Sequence, residues 1–453
     1  MIITLALEGS QYKRNRLIRN GGWALGGTII LSFLGLTTNI LLTRLLPAAD
    51  VGAYFLLVSL VMFSAIFAQA GVSQVLLRRV ALSPEVYGRR GAANDVKAAM
   101  IYVGVGILFI ASLILLFFDL WIAKFIPGRY DLNLNVFIII LWIVAFAYQA
   151  VVTESFRGFH NIRNAAIFGG IITNVMFVAM LGVLYAEGSK PELSDIVKLI
   201  VCLSLLSLIV GLGLLYRQIV SIEPVGYIRR LKSIYHESMP LFLSSLLMVV
   251  ITQGDIWLVG YYSGNENTAI YCVAAKLAVL TGMPINLINA IIPPHISQLY
   301  AANNPHELEK LLRVSAGIAS VPTIIMVFFL IFFANDILGY LYGVHFRQAG
   351  NVLRVLCIGH LGHVLLGSSG MVLMLTGRGK ELMVITFINC LFLTIGGVIA
   401  APYGIVWIGF VAASALVIQK MLMCKLVHSR LGIHTHARFD MGLFKIFLSF
   451  IGK

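Results

Sequence analysis

The chain alternates long apolar runs with short polar or Gly/Pro-rich breaks from about residue 21 to about residue 424. Each run has roughly the 20 residues that a helix needs to cross the hydrocarbon core of a bilayer. The sequence lacks the ten-residue alternating strands that are typical of a membrane β-barrel. The pattern therefore predicts membrane-spanning helices at about 21–42, 51–76, 97–118, 133–152, 165–186, 195–216, 239–262, 268–292, 314–334, 349–373, 381–400 and 404–424, which makes twelve.

Composition supports the same interpretation. Of the 453 residues, 59% are apolar and only 11% are charged, against roughly 25% charged in an ordinary soluble domain. These values exclude a soluble enzyme of several domains, and they exclude a disordered chain. The predicted fold class is an all-α polytopic membrane protein.

The distribution of basic residues predicts the orientation. The chain carries 33 Lys and Arg residues and a net charge of +14. With the N-terminus inside, most of them fall into cytoplasmic segments, and Lys420 is assigned to the cytoplasmic C-terminal end. Because cytoplasmic loops concentrate Lys and Arg, both termini are predicted to be cytoplasmic. The spread of charge over many segments argues against binding of nucleic acid. The predicted outside loops hold only Arg44, Lys124, Arg129, Lys190 and Arg347.

An internal repeat predicts the domain organisation. Residues 45–60 resemble residues 261–277, and Tyr54 aligns with Tyr271. Two parallel sets of six helices are a known transporter plan, with substrate between the halves. Between them, apolar residues at every third position interleave with basic ones, which favours an amphipathic segment on the cytoplasmic surface over a plain linker. The predicted divisions are a lobe at 1–216, a linker at 217–238, a lobe at 239–424 and a cytoplasmic tail at 425–453.

Features of an enzyme are missing from the sequence. The five cysteines lie in apolar stretches and form no CxxC pair, which is typical of small buried hydrophobes. The longest predicted outside loop, 119–132, is too short for a catalytic domain. The segment TGRGKE (376–381) lacks the first Gly and the Ser/Thr of a phosphate-binding loop. The prediction is a protein without catalytic residues, metal or cofactor, which acts inside the membrane.

Charged residues inside the predicted spans are candidates for a binding site, because a charge at bilayer depth is costly. Asp255, Lys276 and Arg354 lie at similar predicted depths below the outer surface, and Arg44 follows the end of the first span. Together they are expected to ring a cavity. The alternatives are a structural ion pair between Asp255 and Lys276, a headgroup anchor at Arg44 and a structural role for Arg354.

Two histidines, His360 and His363, lie deeper in the tenth predicted span and share one helix face. They are candidates either to carry protons or to hydrogen-bond neighbouring helices. The intramembrane charge is positive on balance, since Lys198, Lys276 and Arg354 oppose only Asp255. A basic cavity suits an anionic substrate, most naturally a phosphate or pyrophosphate. The predicted substrate-binding set is Arg44, Asp255, Lys276, Arg354, His360 and His363.

The two halves carry motifs that resemble one family. The motif in the first half consists of Arg44, Leu46, Pro47, Asp50, Gly52 and Tyr54, followed by Gly71, Ser73 and Arg78. The motif in the second half consists of Pro240, Asp255, Gly260, Tyr271 and Ala274. Position 269 is Ala, where the family named next usually has Gly. In these motifs the chain resembles polysaccharide transporters of the O-antigen flippase type, in the multidrug/oligosaccharidyl-lipid/polysaccharide exporter superfamily.

The resemblance implies two six-helix lobes that form a V and alternate between inward- and outward-facing states. The implied substrate is an oligosaccharide on undecaprenyl pyrophosphate, a repeat unit of O-antigen, capsule or exopolysaccharide, moved across the bacterial cytoplasmic membrane. The implied partners are this lipid-linked oligosaccharide, the lipid bilayer and the polysaccharide polymerase of the assembly pathway.

Three other classes stay open from the sequence. A multidrug or cation antiporter of the same superfamily would need acidic residues in the N-terminal lobe, and the first five predicted spans hold none at their centres. A membrane polysaccharide polymerase or ligase would normally need a large outside loop. A major-facilitator transporter is suggested only by a faint basic likeness at 86–95, which lacks the expected order of Gly, Asp and Arg.

Overall fold

The computed structural model describes residues 2–86, 88–125, 136–219 and 227–438, and within these ranges the chain is helical and holds no strand. Short 3-10 or π turns at Ile167–Ile171, Leu280–Gly282, Val344–Ala349 and Ala401–Tyr403 join some of the helices. The helices are α1 (Ile2–Leu45), α2 (Ala48–Gln69), α3 (Val72–Val86), α4 (Gly88–Phe125), α5 (Val136–Gly158), α6 (Ile162–Ala166), α7 (Ile172–Ala186), α8 (Leu193–Ile219), α9 (Tyr227–Val279), α10 (Met283–Asn289), α11 (Pro293–Ala301), α12 (Pro305–Phe332), α13 (Ala334–Tyr342), α14 (Gly350–Leu365), α15 (Ser369–Leu375), α16 (Gly379–Ala400) and α17 (Ile405–Leu431).

Ten stretches of the described chain are long and apolar enough to cross a membrane. An eleventh candidate is the bent pair Val344–Leu365 and Ser369–Leu375, whose two parts meet at 46°. One of the ten, Ile234–Asn289, has 56 residues, which is far more than the roughly 20 that one crossing needs. Gly264 interrupts it with a φ of 79° and a ψ of 175°, a conformation that only glycine adopts readily. The predicted class, an all-α polytopic membrane protein, is confirmed.

The chain divides into two compact units. The first unit contains residues 1–46 and 56–246, and the second contains residues 47–55 and 247–453. Helix α2 therefore contributes its first residues to the second unit and the rest to the first. The predicted linker at 217–238 and the predicted outside loop at 119–132 lie partly outside the described residues, so the four predicted divisions stay a prediction.

In the first unit, α5 packs against α3 and α8, and α1 packs against α7. Its core includes Ile139, Ile143, Phe156 and Phe177, none of which is more than 2% exposed. The π-helical turn Ile167–Ile171 lies on this core, and Gly170 within it has a φ of 131°. The side chain of Gln149 crosses from α5 to donate hydrogen bonds to the Phe168 carbonyl and to Ser207 Oγ. These contacts bind α5, the π turn and α8 together.

In the second unit, α14 packs against α12 and α17, and α16 packs against α17. A cluster of apolar side chains fills the space between α10, α11, α12, α15 and α17. Its buried members are Ile285, Ile288, Ile292, Ile296, Leu308, Leu311, Leu312, Ala319, Val364, Val372, Leu373, Met423, Val427 and Ile433.

The chain beyond α17 returns to this cluster. Residues 433–438, here called the C-terminal strap, lie against α12 and the gap between α14 and α15. The Ala437 amide donates to the Leu365 carbonyl at 2.8 Å, and the Arg438 amide donates to the Arg313 carbonyl at 3.3 Å. Of the predicted tail at 425–453, the first part therefore continues α17, the strap belongs to the second unit, and 439–453 lies outside the described residues.

Candidate functional site

Asp255 is held by a tyrosine of the second repeat copy. The hydroxyl of Tyr271 donates a 2.7 Å hydrogen bond to Asp255 Oδ2, and the Ile256 amide donates to Oδ1 at 2.9 Å. Both residues belong to α9, on opposite sides of the break at Gly264. The break allows the second part of the helix to fold back, so that Tyr271 reaches the carboxylate. The tyrosine side chain is fully buried.

Lys276 does not form the predicted ion pair with Asp255. Within the described part of the chain, no ion pair joins the two, although the charge of Lys276 acts on the carboxylate from further away. Tyr271 is the side chain that donates to Asp255. Both charged side chains are half-buried, which leaves each of them partly accessible to a ligand.

The two predicted arginines have different surroundings. The Arg354 guanidinium donates from Nε to the Ile331 carbonyl at 3.1 Å and from Nη1 to Asn351 Oδ1 at 2.8 Å. It therefore closes the C-terminal end of α12, where the last carbonyls of a helix need donors. Arg44 lies in the last turn of α1 and is exposed. A cation is favourable there because the helix dipole is negative at its C-terminal end.

His360 and His363 face the interior of the second unit beside a lysine. A Cβ added to Gly282 would lie 3.8 Å from His360 Nδ1, which places this ring against the turn before α10. His363 is close enough to His360 and to Lys420 to interact electrostatically with both. The hydropathy pattern assigned Lys420 to the cytoplasmic end of the last span. The structure instead places it near the middle of α17, because that helix continues to Leu431.

The two copies of the predicted repeat touch each other. Gly52 of the first copy lies against the backbone of Asn265, and a Cβ at position 52 would overlap that residue's carbonyl. The same Cβ would lie 3.1 Å from the amide nitrogen of Ala269. Under the alignment of Tyr54 with Tyr271, Ala269 is the equivalent of Gly52. The equivalent positions of the two copies are therefore neighbours in the second unit.

Three charged residues of the first unit, Arg79, Asp95 and Glu237, form a cluster that the sequence did not predict. Arg79 Nη2 donates to Glu237 Oε1 at 2.6 Å, and Nη1 lies 3.5 Å from Asp95 Oδ1. Partial burial alone would lower the pKa of Arg79, but the two carboxylates more than offset it, and the pKa is raised. The cluster joins α3, α4 and α9. Arg79 and Glu237 are 158 positions apart along the chain. No local spacing in the sequence could therefore have indicated this cluster.

The polar groups of the second unit are candidates for contacts with a ligand. Among the described residues, no group of His, Cys, Asp or Glu has the geometry of a metal site. What the unit does provide is a set of partly accessible cations and hydrogen-bond donors at Lys276, Lys420, His360 and His363, with Asp255 tied to Tyr271. Cationic groups and hydrogen-bond donors of these types are suited to contact an anionic, hydroxyl-rich ligand.

The chain is an all-α polytopic membrane protein with the fold of the multidrug/oligosaccharidyl-lipid/polysaccharide exporter superfamily. The family model described as polysaccharide biosynthesis protein matches residues 17–300. The chain belongs to this family. A second family model, described as MatE, matches residues 240–399. No curated protein matches the chain.

Solved structures share the fold. An inward-facing multidrug resistance MATE family transporter of the MOP superfamily superposes with a TM-score of 0.73 at 17% identity, covering 91% of this chain and 95% of that one. The lipid II flippase MurJ, in an inward closed conformation, superposes with a TM-score of 0.69 at 15% identity, covering 93% and 89%. An outward-facing MATE family transporter gives a TM-score of 0.57 at 14% identity, covering 92% and 96%. At these identities the likeness concerns the fold alone.

Proposed function

We propose that the protein is a flippase that moves an oligosaccharide linked to undecaprenyl pyrophosphate across the bacterial cytoplasmic membrane by alternating access. The observation that carries the proposal is the match of the polysaccharide biosynthesis family over residues 17–300. The oligosaccharide would be a repeat unit of O-antigen, capsule or exopolysaccharide. It would be handed to a polysaccharide polymerase on the outer leaflet.

The chemistry of the second unit supports an anionic, sugar-bearing substrate. Sugar hydroxyls cannot enter a hydrocarbon core without losing their hydrogen bonds to water, so the substrate needs polar walls. The half-buried side chains of Asp255, Lys276, His360 and His363 offer both charge and hydrogen-bonding groups. We assign these residues, with Arg44 and Arg354, to the substrate path. Arg354 also closes the C-terminal end of α12, and Arg44 places a positive charge in the last turn of α1.

The proposed topology has twelve spans and cytoplasmic termini. Dividing Ile234–Asn289 at Gly264 into two crossings, and taking the bent pair as one, turns the ten candidate stretches into twelve. Among the described residues, the ion pairs between connections join segments assigned to the same side, which supports this topology. His345 pairs with Glu266 at 3.1 Å between outside connections, and Arg430 pairs with Glu381 at 3.4 Å between inside ones.

Cysteine labelling tests the topology. In a background without the five natural cysteines, Asn267→Cys is expected to react with an impermeant reagent added to intact cells. His306→Cys, which is equally exposed, is expected to react only after the membrane is opened. Labelling of both from the outside would contradict the proposed arrangement.

Gene deletion tests the function. The deletion strain is expected to lose surface polysaccharide and to accumulate lipid-linked oligosaccharide on the cytoplasmic leaflet. A plasmid copy is expected to restore export, whereas copies with Asp255→Asn or Lys276→Met are not. Lys198→Met is the matched control, because Lys198 is exposed on α8 and, among the described residues, forms an ion pair only with the nearby Asp195. Normal export in the deletion strain would refute the proposal.

A multidrug or cation antiporter is the second candidate, favoured by the MatE match over residues 240–399 and by the likeness to the inward-facing MATE transporter. It predicts that the deletion strain becomes sensitive to cationic drugs while its surface polysaccharide stays intact. Measuring drug susceptibility and polysaccharide in the same strain separates the two functions.

A further inference from the structure

We propose that Lys420, together with His363 and His360, forms a binding site for a phosphate group beside the break between α14 and α15. The inference deepens the proposed function, because the pyrophosphate of a lipid-linked oligosaccharide carries the required chemistry. A phospholipid headgroup carries the same chemistry, and the experiment below separates the two sources.

The break between the two helices exposes backbone carbonyls inside a predicted span. Helix α14 ends at Leu365, α15 begins at Ser369, and Gly367 between them has a φ of 72°. The Leu366 carbonyl accepts from Thr435 Oγ1 of the strap at 3.1 Å and from Cys424 Sγ at 3.3 Å. The Gly367 carbonyl accepts from Lys420 Nζ at 3.3 Å. The ammonium is therefore anchored at the break, where the helical hydrogen-bond ladder is interrupted.

The charge of Lys420 lacks an anionic counterpart in the described chain. An ammonium has three hydrogens to donate, and Lys420 gives one to a neutral carbonyl. Within residues 2–86, 88–125, 136–219 and 227–438, no carboxylate forms an ion pair with it. A cation kept within a membrane span without a carboxylate is costly. A bound anion would complete its coordination and offset that cost.

Neighbouring groups extend the site along α14. The ring of His363 is close enough to Lys420 to interact with its charge, and His360 lies one turn before His363 on the same helix. Each imidazole has a ring N–H to donate. On the other side of the break, the Ser368 hydroxyl donates to Asn289 Oδ1. Lys420 and both histidines are only half-buried, so a ligand can reach them.

A phosphate group fits these donors better than a neutral sugar does. It offers several acceptor oxygens and a negative charge to one ammonium and two imidazoles. Charge-assisted hydrogen bonds of this kind are about twice as strong as neutral ones. A lysine suits phosphate as a compact point charge, whereas a carboxylate is usually held by the planar fork of an arginine.

Binding by the purified full-length protein in nanodiscs of phosphatidylcholine tests the proposal. The probes are farnesyl pyrophosphate, inorganic pyrophosphate and phosphatidylglycerol added to the nanodisc. Lys420→Met is expected to weaken binding of farnesyl pyrophosphate about tenfold or more, and Lys420→Arg is expected to retain most of it. The matched control is Lys425→Met, because Lys425 lies on the same helix but is exposed. Unchanged binding by Lys420→Met, or an equal loss in Lys425→Met, would overturn the proposal.

A second measurement uses the unaltered chain and so does not depend on whether a variant folds. Reductive methylation of Lys420, followed by mass spectrometry, is expected to slow when farnesyl pyrophosphate is bound, while methylation of Lys425 is not. No protection of Lys420 by any of the three probes would also overturn the site. Protection by phosphatidylglycerol but not by farnesyl pyrophosphate would assign the site to a phospholipid headgroup.

These outcomes are independent of the deletion experiment. If the deletion strain exports polysaccharide normally but Lys420 still binds pyrophosphate, the proposed function fails and the site stands. If the deletion strain accumulates lipid-linked oligosaccharide but Lys420→Met binds and exports like the unaltered protein, only the site fails.

Discussion

Gly52 lies against the carbonyl of Asn265 so closely that no larger residue fits at position 52 without displacing backbone. The contact joins the two copies of the internal repeat within the second unit, and the amide of Ala269, the position that the alignment makes equivalent to Gly52, lies beside it. A methyl group here would meet backbone atoms, which cannot rotate away as a flexible side chain can.

The first prediction concerns this contact. Gly52→Ala is expected to destabilise the protein by about 1–3 kcal/mol, the usual cost of overpacking, and to reduce export of polysaccharide. The measurement is the unfolding temperature of the purified protein, with export in the complemented deletion strain. Gly35→Ala is the control, because its Cβ would have no atom within 4 Å. If both variants have the same unfolding temperature and export the same amount of polysaccharide, the close contact at Gly52 does not contribute to stability.

The hydrogen bond from Tyr271 to Asp255 gives the second prediction. Tyr271→Phe keeps the buried ring but removes the donor, and is expected to cost about 1–3 kcal/mol because the carboxylate loses its side-chain partner. Tyr342→Phe is the matched control. Tyr342 is equally buried, and its hydroxyl has no hydrogen-bond partner in the described structure. Thermal unfolding of the two variants measures the difference, and an equal loss in both would show that the bond contributes nothing specific.

The third prediction concerns the C-terminal strap. A chain that stops after Gly432 loses Ile433 and Thr435, which are 2% and 1% exposed. Burial of one large aliphatic side chain contributes about 1.5–3 kcal/mol, so the shortened chain is expected to unfold at a lower temperature. A chain that stops after Arg438 keeps the strap contacts that the structure describes and serves as the control. Equal stability of the two chains would contradict a structural role for the strap.

The histidines of the strap predict a dependence on pH. His436 faces Arg313, Glu309 and His434, and the His434 ring stacks on His428. Partial burial lowers the pKa of His436, and the charges of Arg313 and His434 lower it further, whereas Glu309 raises it. Because the pKa is lower in the folded protein, the unfolded chain binds more protons as the pH falls. The stabilisation is therefore present above the ordinary pKa of histidine, about 6.5, and is lost as the pH decreases below it.

The corresponding measurement compares unfolding temperatures at a pH of about 7.5 and about 5.5. The unaltered protein is expected to lose more stability on acidification than His436→Gln, which cannot gain the proton. His306→Gln is the control, because His306 is exposed and lies at the start of α12. The prediction fails if the His436 variant has the same pH dependence as the unaltered protein.

Hydropathy predicted the helical class and most of the apolar stretches because both depend on residue type averaged over some twenty positions. It also placed a break near Gly264, where the polar segment SGNEN interrupts two apolar runs. The predicted count of twelve differs from the ten stretches of the described chain partly because α9 continues through the break at Gly264, so that two predicted spans form one helix.

The partner of Asp255 could not be predicted in this way. Counting residues gives depth along a helix but not the direction in which a side chain points, which turns by about 100° per residue. Lys276 and Asp255 therefore had similar predicted depths, while Tyr271 is the residue whose side chain meets the carboxylate. The alignment of Tyr54 with Tyr271 was a signal that could have indicated a role for the tyrosine.

The position of Lys420 along its helix was predicted wrongly for a related reason. The last apolar run was ended near residue 424, so a lysine shortly before it was assigned to the inside end. The helix continues to Leu431, and the carbonyl that binds Lys420 belongs to a break more than fifty positions earlier. Backbone breaks of this kind depend on a glycine with positive φ, and the sequence offers many glycines without distinguishing this one.

The strap also bears on the order in which the protein is made. Ile433 and Thr435 belong to the interior of the second unit, yet they are synthesised after α17. The strap can therefore cover the gap between α14 and α15 only once α17 has left the ribosome. A nascent chain that stalls in α17 would present this unfinished surface, which a membrane protease could recognise and a completed chain would hide.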